Sequence, residues 1–426
     1  MPSTHGVVSP LPATEPSAGP PTVSRLRRAA EFLGLQRSIV GLLAMVVLVG
    51  MGERMAERFL PIYLMALGGG ALSIGMLNGL DNLLSALYSY PGGYLADRIG
   101  TKRALLVFNL MAMTGFLLVI LIPTWWAVII GAFFFLSWTA ISLPATMGLV
   151  SFVLPKNKRT MGVSMHSFVR RIPMALGPLV GGLFIGIWGE RNGVRLAFVA
   201  AFATAAVALV MQQLLIEDDR AAGLRPGQLV ENRLFDPFPL FRSMSPSLRN
   251  LLVADILVRF CEQIPYAFVV VWAMKVVREP VTAFQFGILT TFEMVTAMLI
   301  YVPVAYLADR STKKPFVVIT FVNFSLFPLM LLFSQSFWIL AAAFILRGLK
   351  EFGEPTRKAL IMDLAPEGSK AGMFGLYYLL RDTVVSVAAF GGAFLWMIDP
   401  RVNLLAAFAF GLLGTTWFAA RGRDLE

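Results

Sequence analysis

GGYLADRIGTKR, residues 92–103, returns later in the chain as VAYLADRSTKK, residues 304–314. The pentapeptides Tyr94-Leu95-Ala96-Asp97-Arg98 and Tyr306-Leu307-Ala308-Asp309-Arg310 are identical, and their separation is almost half of the 426-residue chain. The match extends backward. Gly75 aligns with Gly287, Leu77 with Leu289, Leu87 with Leu299 and Pro91 with Pro303. Asp81 falls opposite Glu293, an acid at one position of each copy. A second window keeps nearly the same register: Pro144 with Pro355, Pro155 with Pro366, Arg170 with Arg381 and Gly181 with Gly392. Two windows in one register indicate an internal duplication.

Composition gives the class of the duplicated unit. Hydrophobic residues make up 57% of the chain and charged residues 14%, where soluble domains carry about 25% charged residues. A bilayer-spanning helix needs about 20 mostly apolar residues, and about twelve such segments can be drawn. They lie near 38–67, 71–97, 104–123, 125–153, 161–188, 194–216, 249–274, 284–309, 315–334, 337–362, 371–398 and 401–420. No series of alternating ten-residue segments speaks for an outer-membrane barrel. The expectation is an all-α membrane protein with six spans in each half. An even number of spans gives the two halves the same orientation, a parallel repeat. The divisions are a disordered, basic-ended tail (1–37), a first bundle (38–216), a polar linker (217–248), a second bundle (249–420) and a short tail (421–426).

The net charge of +11 would suggest a nucleic-acid partner in a soluble protein. Its distribution argues otherwise. Arg25, Arg27, Arg28, Arg98, Lys102, Arg103, Lys156, Lys158, Arg159, Arg310, Lys313 and Lys314 all fall on one side once the N-terminus is set inside. The positive-inside rule then puts both termini in the cytoplasm of an inner membrane, with anionic lipid at that face and no nucleic acid. The single cysteine, Cys261, permits neither an intramolecular disulfide nor a thiolate metal cage. The histidines are His5 and His166. No cofactor is implied, and a metal ligand set is undetermined. No HExxH motif, nucleophile elbow or nucleotide-binding domain points to an enzyme, and Gly68-Gly69-Gly70 lacks the following Lys-Ser/Thr of a phosphate loop.

The motif between the second and third spans resembles that of the major facilitator superfamily. Gly93, Asp97, Arg98, Gly100, Lys102 and Arg103 carry the resemblance, echoed by Asp309 and Arg310 in a degenerate second copy where Ala305 replaces the glycine. The resemblance implies twelve spans in two six-helix bundles, with no enzymatic activity and a solute moved by alternating access, often with protons. It implies that this loop is a gate whose aspartate meets the start of the eleventh span, near 369–372, where a helix N-terminus favours a carboxylate. Gly177-Pro178-Leu179-Val180-Gly181-Gly182 is similar to the end of the family's antiporter signature, although Pro173 and Ser164 stand where earlier glycines belong. Gly177, Pro178, Gly181 and Gly182 also suit close helix packing.

Within the spans sit charges that need a reason. GMGERMAERFLPIYL, residues 50–64, carries Glu53, Arg54, Glu57 and Arg58, and each costs roughly 2.5–3.5 kcal/mol at a helix centre on insertion scales. Asp255, Arg259 and Glu262 follow in the seventh span, and Arg347, Lys350, Glu351 and Glu354 in the tenth. Such residues face a watery cavity or one another. In the family, spans one, four, seven and ten line the cavity; here the fourth offers Ser137, Thr139 and Ser142. Helical spacing allows Arg347–Glu351 and Lys350–Glu354 to form an i,i+4 ladder. Gly353 and Pro355 suggest a local break in that span. Asp81 and Glu293 lack an evident local cation. A carboxyl withdrawn from water binds a proton more readily than one in solution, so these two and Glu57 are candidates for proton coupling. The expectation is a proton-coupled carrier of a small charged or polar solute. A carrier of an iron-like metal ion and a non-transporting sensor or assembly protein are the alternatives.

Overall fold

The computed structural model describes residues 37–136, 159–216, 241–308, 312–366 and 370–423. Nearly all of these residues are helical. Helix α1 (Arg37–Glu57) carries the first charged stretch and gives way at Arg58 and Phe59 to the short α2 (Leu60–Ala66). Pro61 stands in the first turn of α2, where a missing backbone N–H costs nothing. Helices α3 (Ala71–Ile99) and α4 (Thr101–Leu121) meet at Gly100, whose φ of 91° is open to glycine alone at little cost. That geometry explains the motif glycine. Helix α5 (Trp125–Phe135) follows. Helix α6 (Arg159–Leu215) is two arms joined at Gly189, where φ is 77°.

In the second half α7 (Pro246–Gln263) starts from Ser245, whose Oγ accepts the Leu248 N–H at 3.2 Å, a standard cap. It runs on through a tight turn at Tyr266–Phe268 and a widened one at Trp272–Val276. Then come α8 (Ala283–Ala308), α9 (Lys314–Phe333) and α10 (Phe337–Leu349). After them follow α11 (Glu354–Leu364), α12 (Lys370–Ile398) and α13 (Pro400–Arg421).

Among the described residues, 7 helical stretches are long and apolar enough to cross a membrane. One of them, Val169–Leu215, has 47 residues, about 70 Å of helix and enough for two crossings of a 30 Å core. The difference from twelve has identifiable causes. Helix α1 carries the charges Glu53, Arg54 and Glu57, the polar Asn78, Asp81 and Asn82 lower the hydropathy of α3, the described part of α5 is short, and the tenth segment is split between α10 and α11. Outward-facing residues such as Trp338 (75% exposed), Ile398 (72%) and Leu299 (70%) are apolar, as a lipid-facing exterior requires.

Helix α1 packs along α6, and α7 and α9 pack on α13. The two most extensive contacts between the halves are α6 on α8 and α3 on α12. Glycines make both close. A Cβ at Gly182 would meet the Ala283 backbone, and one at Gly287 would lie 2.7 Å from the Pro178 carbonyl. Gly75 and Gly79 receive Ala393 and the Phe390 ring. The duplicated positions do equivalent work. Gly75 and Gly287 each sit at a contact between halves, while Gly181 and Gly392 each lie on backbone of the helix run that opens their own half, at Met55 and Ile264.

Candidate functional site

The first half of the site is built on the last turn of α1. Arg54 Nη1 and Glu57 Oε2 are 2.6 Å apart, one helical turn along the same face. Gly177 and Gly181 let α6 reach this turn: a Cβ at Gly177 would stand 2.6 Å from the Arg54 Cβ. Because α1 stops at Glu57, Arg58 leaves the line on which it would stack over Arg54. Its guanidinium lies instead 5.3 Å from the Tyr266 ring of the second half.

The second half holds a connected network of charges. Arg259 is central: its Nη1 is 2.6 Å from Glu262, its Nη2 3.3 Å from Glu354, and its Nε 3.8 Å from Asp255. Lys350 Nζ is 2.6 Å from Glu262 and 3.7 Å from Glu293. Arg347 Nε is 3.3 Å from Glu293. Arg357, the largest fully buried side chain, is paired with Asp255 and donates from Nη2 to Glu354 at 2.6 Å. Asp255 also accepts from the Tyr377 hydroxyl at 3.0 Å and lies 3.4 Å from Arg381. Charges this deep persist only when paired and hydrogen-bonded.

The break after α10 makes this network possible. Gly353 donates its N–H to Thr320 Oγ1 at 2.5 Å, and a Cβ there would strike the Phe316 backbone. Pro355 then stands in the first turn of α11. The expected i,i+4 ladder is therefore absent: Arg347–Glu351 and Lys350–Glu354 are not pairs. Lys350 turns to α7 and α8, Glu354 to Arg259 and Arg357, and Glu351 to Arg171 of the first half at 3.2 Å. The broken segment cannot hold the helical spacing that the ladder needs.

Between the halves lies a cleft with about 510 Å³ of empty space, open solvent included. Glu57, Arg58, Asn78 and Asp81 line it from the first half, and Tyr266, Phe286 and Arg347 from the second. Arg347 approaches the Tyr266 ring at 5.4 Å, so one ring carries a guanidinium from each half. Asn82 donates to Gln263 Oε1 at 3.2 Å and Asn78 to the Gln263 carbonyl at 2.9 Å, fixing α3 on α7 beside the cleft.

Asp81 and Glu293 occupy matched positions in different surroundings. Asp81 has no ion pair or hydrogen bond among the described residues. Glu293 faces both Arg347 and Lys350, which corrects the expectation that it lacks a cation. Those cations come from the α10 region, too distant in sequence to be read as local partners. One Glu293 oxygen, Oε2, accepts no hydrogen bond.

The loop motif is only partly described. The side chains of Gly93, Asp97 and Arg98, the residues Asp309 and Arg310, the side chain of His166, and residues 137–158 lie outside the described residues, as does Ser369 at the proposed gate contact. Lys102 is described, and its Nζ donates to the Gln213 carbonyl at 2.9 Å. Arg103 is exposed. Sequence reasoning missed Tyr266, which no spacing rule marks, and gave no site role to Arg357, Tyr377 and Arg381. The run Tyr377-Tyr378 one turn before Arg381 was the available signal. No group of three or more His, Cys, Asp and Glu able to hold a metal ion occurs among the described residues.

Comparisons with known proteins agree on the class. The family model described as Major Facilitator Superfamily matches residues 42–282. An uncharacterised MFS-type transporter of Methanocaldococcus jannaschii is 22% identical over 83% of this chain and 87% of its own length. The quinolone resistance protein NorA of Staphylococcus aureus is 23% identical, the match covering 49% of this chain and 53% of NorA. Among solved structures, the nucleoside transporter NupG superposes with a TM-score of 0.74 at 15% identity, over 90% of this chain and 100% of NupG. A peptide transporter POT gives 0.69 at 16% identity, over 90% and 95% of the two chains. At such identities the likeness speaks for the fold alone. These relatives and neighbours are transporters, not enzymes.

Proposed function

Because the chain belongs to the Major Facilitator Superfamily, we propose that it is a secondary active transporter of a small charged or polar solute, working by alternating access across an inner membrane. The observation that carries this reading is the cleft shared by the two halves and lined by Glu57, Arg58 and Asp81 from one and Tyr266 and Arg347 from the other. A site between repeats is where rocking of one half on the other exposes a solute first to one side and then to the other. The glycine contacts of α3 on α12 and α6 on α8 supply smooth surfaces for that motion.

The same reading takes the chain as two parallel six-helix bundles of twelve spans, with both termini cytoplasmic. Support comes from the duplicated glycines, from the long stretch Val169–Leu215 bent at Gly189, and from the distribution of basic residues. Protons drive the transport. Asp81, lining the cleft with no ion pair among the described residues, is the carrier of choice over Glu293, which two cations engage.

Among the described residues no cluster of His, Cys, Asp and Glu supports a metal ion as the solute. A non-transporting sensor of the same fold is separated by flux. The test is uptake by the full chain in liposomes under an imposed pH gradient, with a panel of organic anions, amino acids, phosphates, divalent metals and organic cations. The expected result is gradient-driven accumulation of a charged or polar organic solute. Ligand binding without accumulation of any panel member would overturn the transport reading.

A further inference from the structure

Resting on that reading of the cleft, the geometry points to a zwitterion as the solute, its anionic end held by Arg58 and its cationic end by Asp81. The inference comes from which charges around the cleft make no ion pair or hydrogen bond among the described residues. Arg54 is matched by Glu57 at 2.6 Å, Arg347 by Glu293 at 3.3 Å and Lys350 by Glu262 at 2.6 Å. Arg58 and Asp81 line the same cleft, and neither makes an ion pair or hydrogen bond among the described residues.

Each of the two is held ready. The Tyr266 ring lies 5.3 Å from the Arg58 guanidinium and engages its face. Arg58 lines the cleft without a hydrogen bond among the described residues, and a guanidinium fork matches a carboxylate in geometry. Arg347 on the same ring, at 5.4 Å, adds positive charge at that end. Asp81 sits on α3 one turn from Asn78, and the hydrogen bonds of Asn78 and Asn82 to Gln263 fix this stretch of helix. Carboxylate oxygens accept hydrogen bonds and offer none, so the partner they lack is a donor, best an ammonium.

An uncompensated charge removed from water is costly. A mono-anion relieves Arg58 and leaves Asp81 to take up a proton; a mono-cation relieves Asp81 and leaves Arg58. A zwitterion relieves both at once and brings no net charge into the bilayer.

The test uses the full chain in lipid nanodiscs and titration calorimetry. The probes are ω-amino carboxylates from glycine to 6-aminohexanoate, each with the matched alkyl carboxylate and alkylamine. One member of the zwitterion series is expected to bind at least about tenfold more tightly than either matched mono-ion. Asp81→Asn should reduce that member to the level of the carboxylate, and Arg58→Gln to the level of the amine. The wild-type comparison needs no variant to fold. Equal binding of a zwitterion and one matched mono-ion, or no binding across the series, overturns the inference. Such a failure leaves the transport reading intact when wild-type liposomes accumulate another charged solute; absence of all accumulation defeats that reading itself.

Discussion

Arg171 Nη2 lies 3.2 Å from Glu351 Oε2, an ion pair that ties α6 of the first half to the broken turn after α10 in the second. Both side chains keep partial access to solvent, at 21% and 24% exposure. A pair of this kind contributes at most about 1 kcal/mol. It can bias a conformational equilibrium without holding up the fold. Glu351→Gln is therefore expected to leave thermal unfolding nearly unchanged and to raise hydrogen exchange in the residues flanking Arg171 and Glu351. Unchanged exchange would remove the pair from any part in opening.

The Asp255–Arg357 pair belongs to another regime. Both side chains are 1% exposed, and removing one partner leaves the other charge buried. Arg357→Leu should destabilise the protein by about 3–5 kcal/mol. The double change with Asp255→Leu should recover part of that loss, because the buried Asp255 carboxylate then goes together with the guanidinium it faces. Thermal unfolding in detergent of the two single variants and the double variant measures the coupling. Additive losses would contradict it.

Two glycines on α6 make a matched comparison. A Cβ at Gly182 meets the backbone of Ala283, which cannot move aside as a flexible side chain could, whereas Gly186 has nothing within 4 Å of its Cβ position. Gly182→Leu should push α6 from α8, cost about 1–3 kcal/mol and abolish transport. Gly186→Ala should be neutral or gain up to about 1 kcal/mol from helix propensity. Thermal unfolding and uptake rates of the two variants check the contrast.

Proton coupling through Asp81 has its own signature. Asp81→Asn should lose accumulation driven by a pH gradient while still exchanging labelled for unlabelled solute once the solute, equal on both sides, is raised at least about tenfold to offset the weaker binding. Accumulation at the wild-type level in this variant would assign the proton to another group.

Much of the architecture was legible in the sequence because it rests on repetition and hydropathy. The glycines aligned by the duplication, Gly75 with Gly287 and Gly181 with Gly392, prove to share contact types. The break at Gly353-Glu354-Pro355 was legible for local reasons: proline suits a first turn and interrupts a helix interior. The ion-pair partners were not legible. Helical spacing predicts neighbours only along an unbroken helix, and that same break sends Lys350 to Glu262 and Glu351 to Arg171. Tyr266 was missed because its role depends on two arginines from different halves, Arg58 and Arg347, far apart in sequence. Such a meeting is a property of tertiary packing, and a single sequence does not display it.

The central claim is that the charged cleft between the halves is the transport site, and Arg58 is the residue on which it turns. The most direct measurement is the initial rate of solute uptake into liposomes by wild-type protein, Arg58→Lys and Arg58→Gln, each verified as folded by gel filtration. Arg58→Gln should lose about tenfold or more, with Arg58→Lys between it and wild type. Wild-type uptake by a folded Arg58→Gln protein would contradict the account.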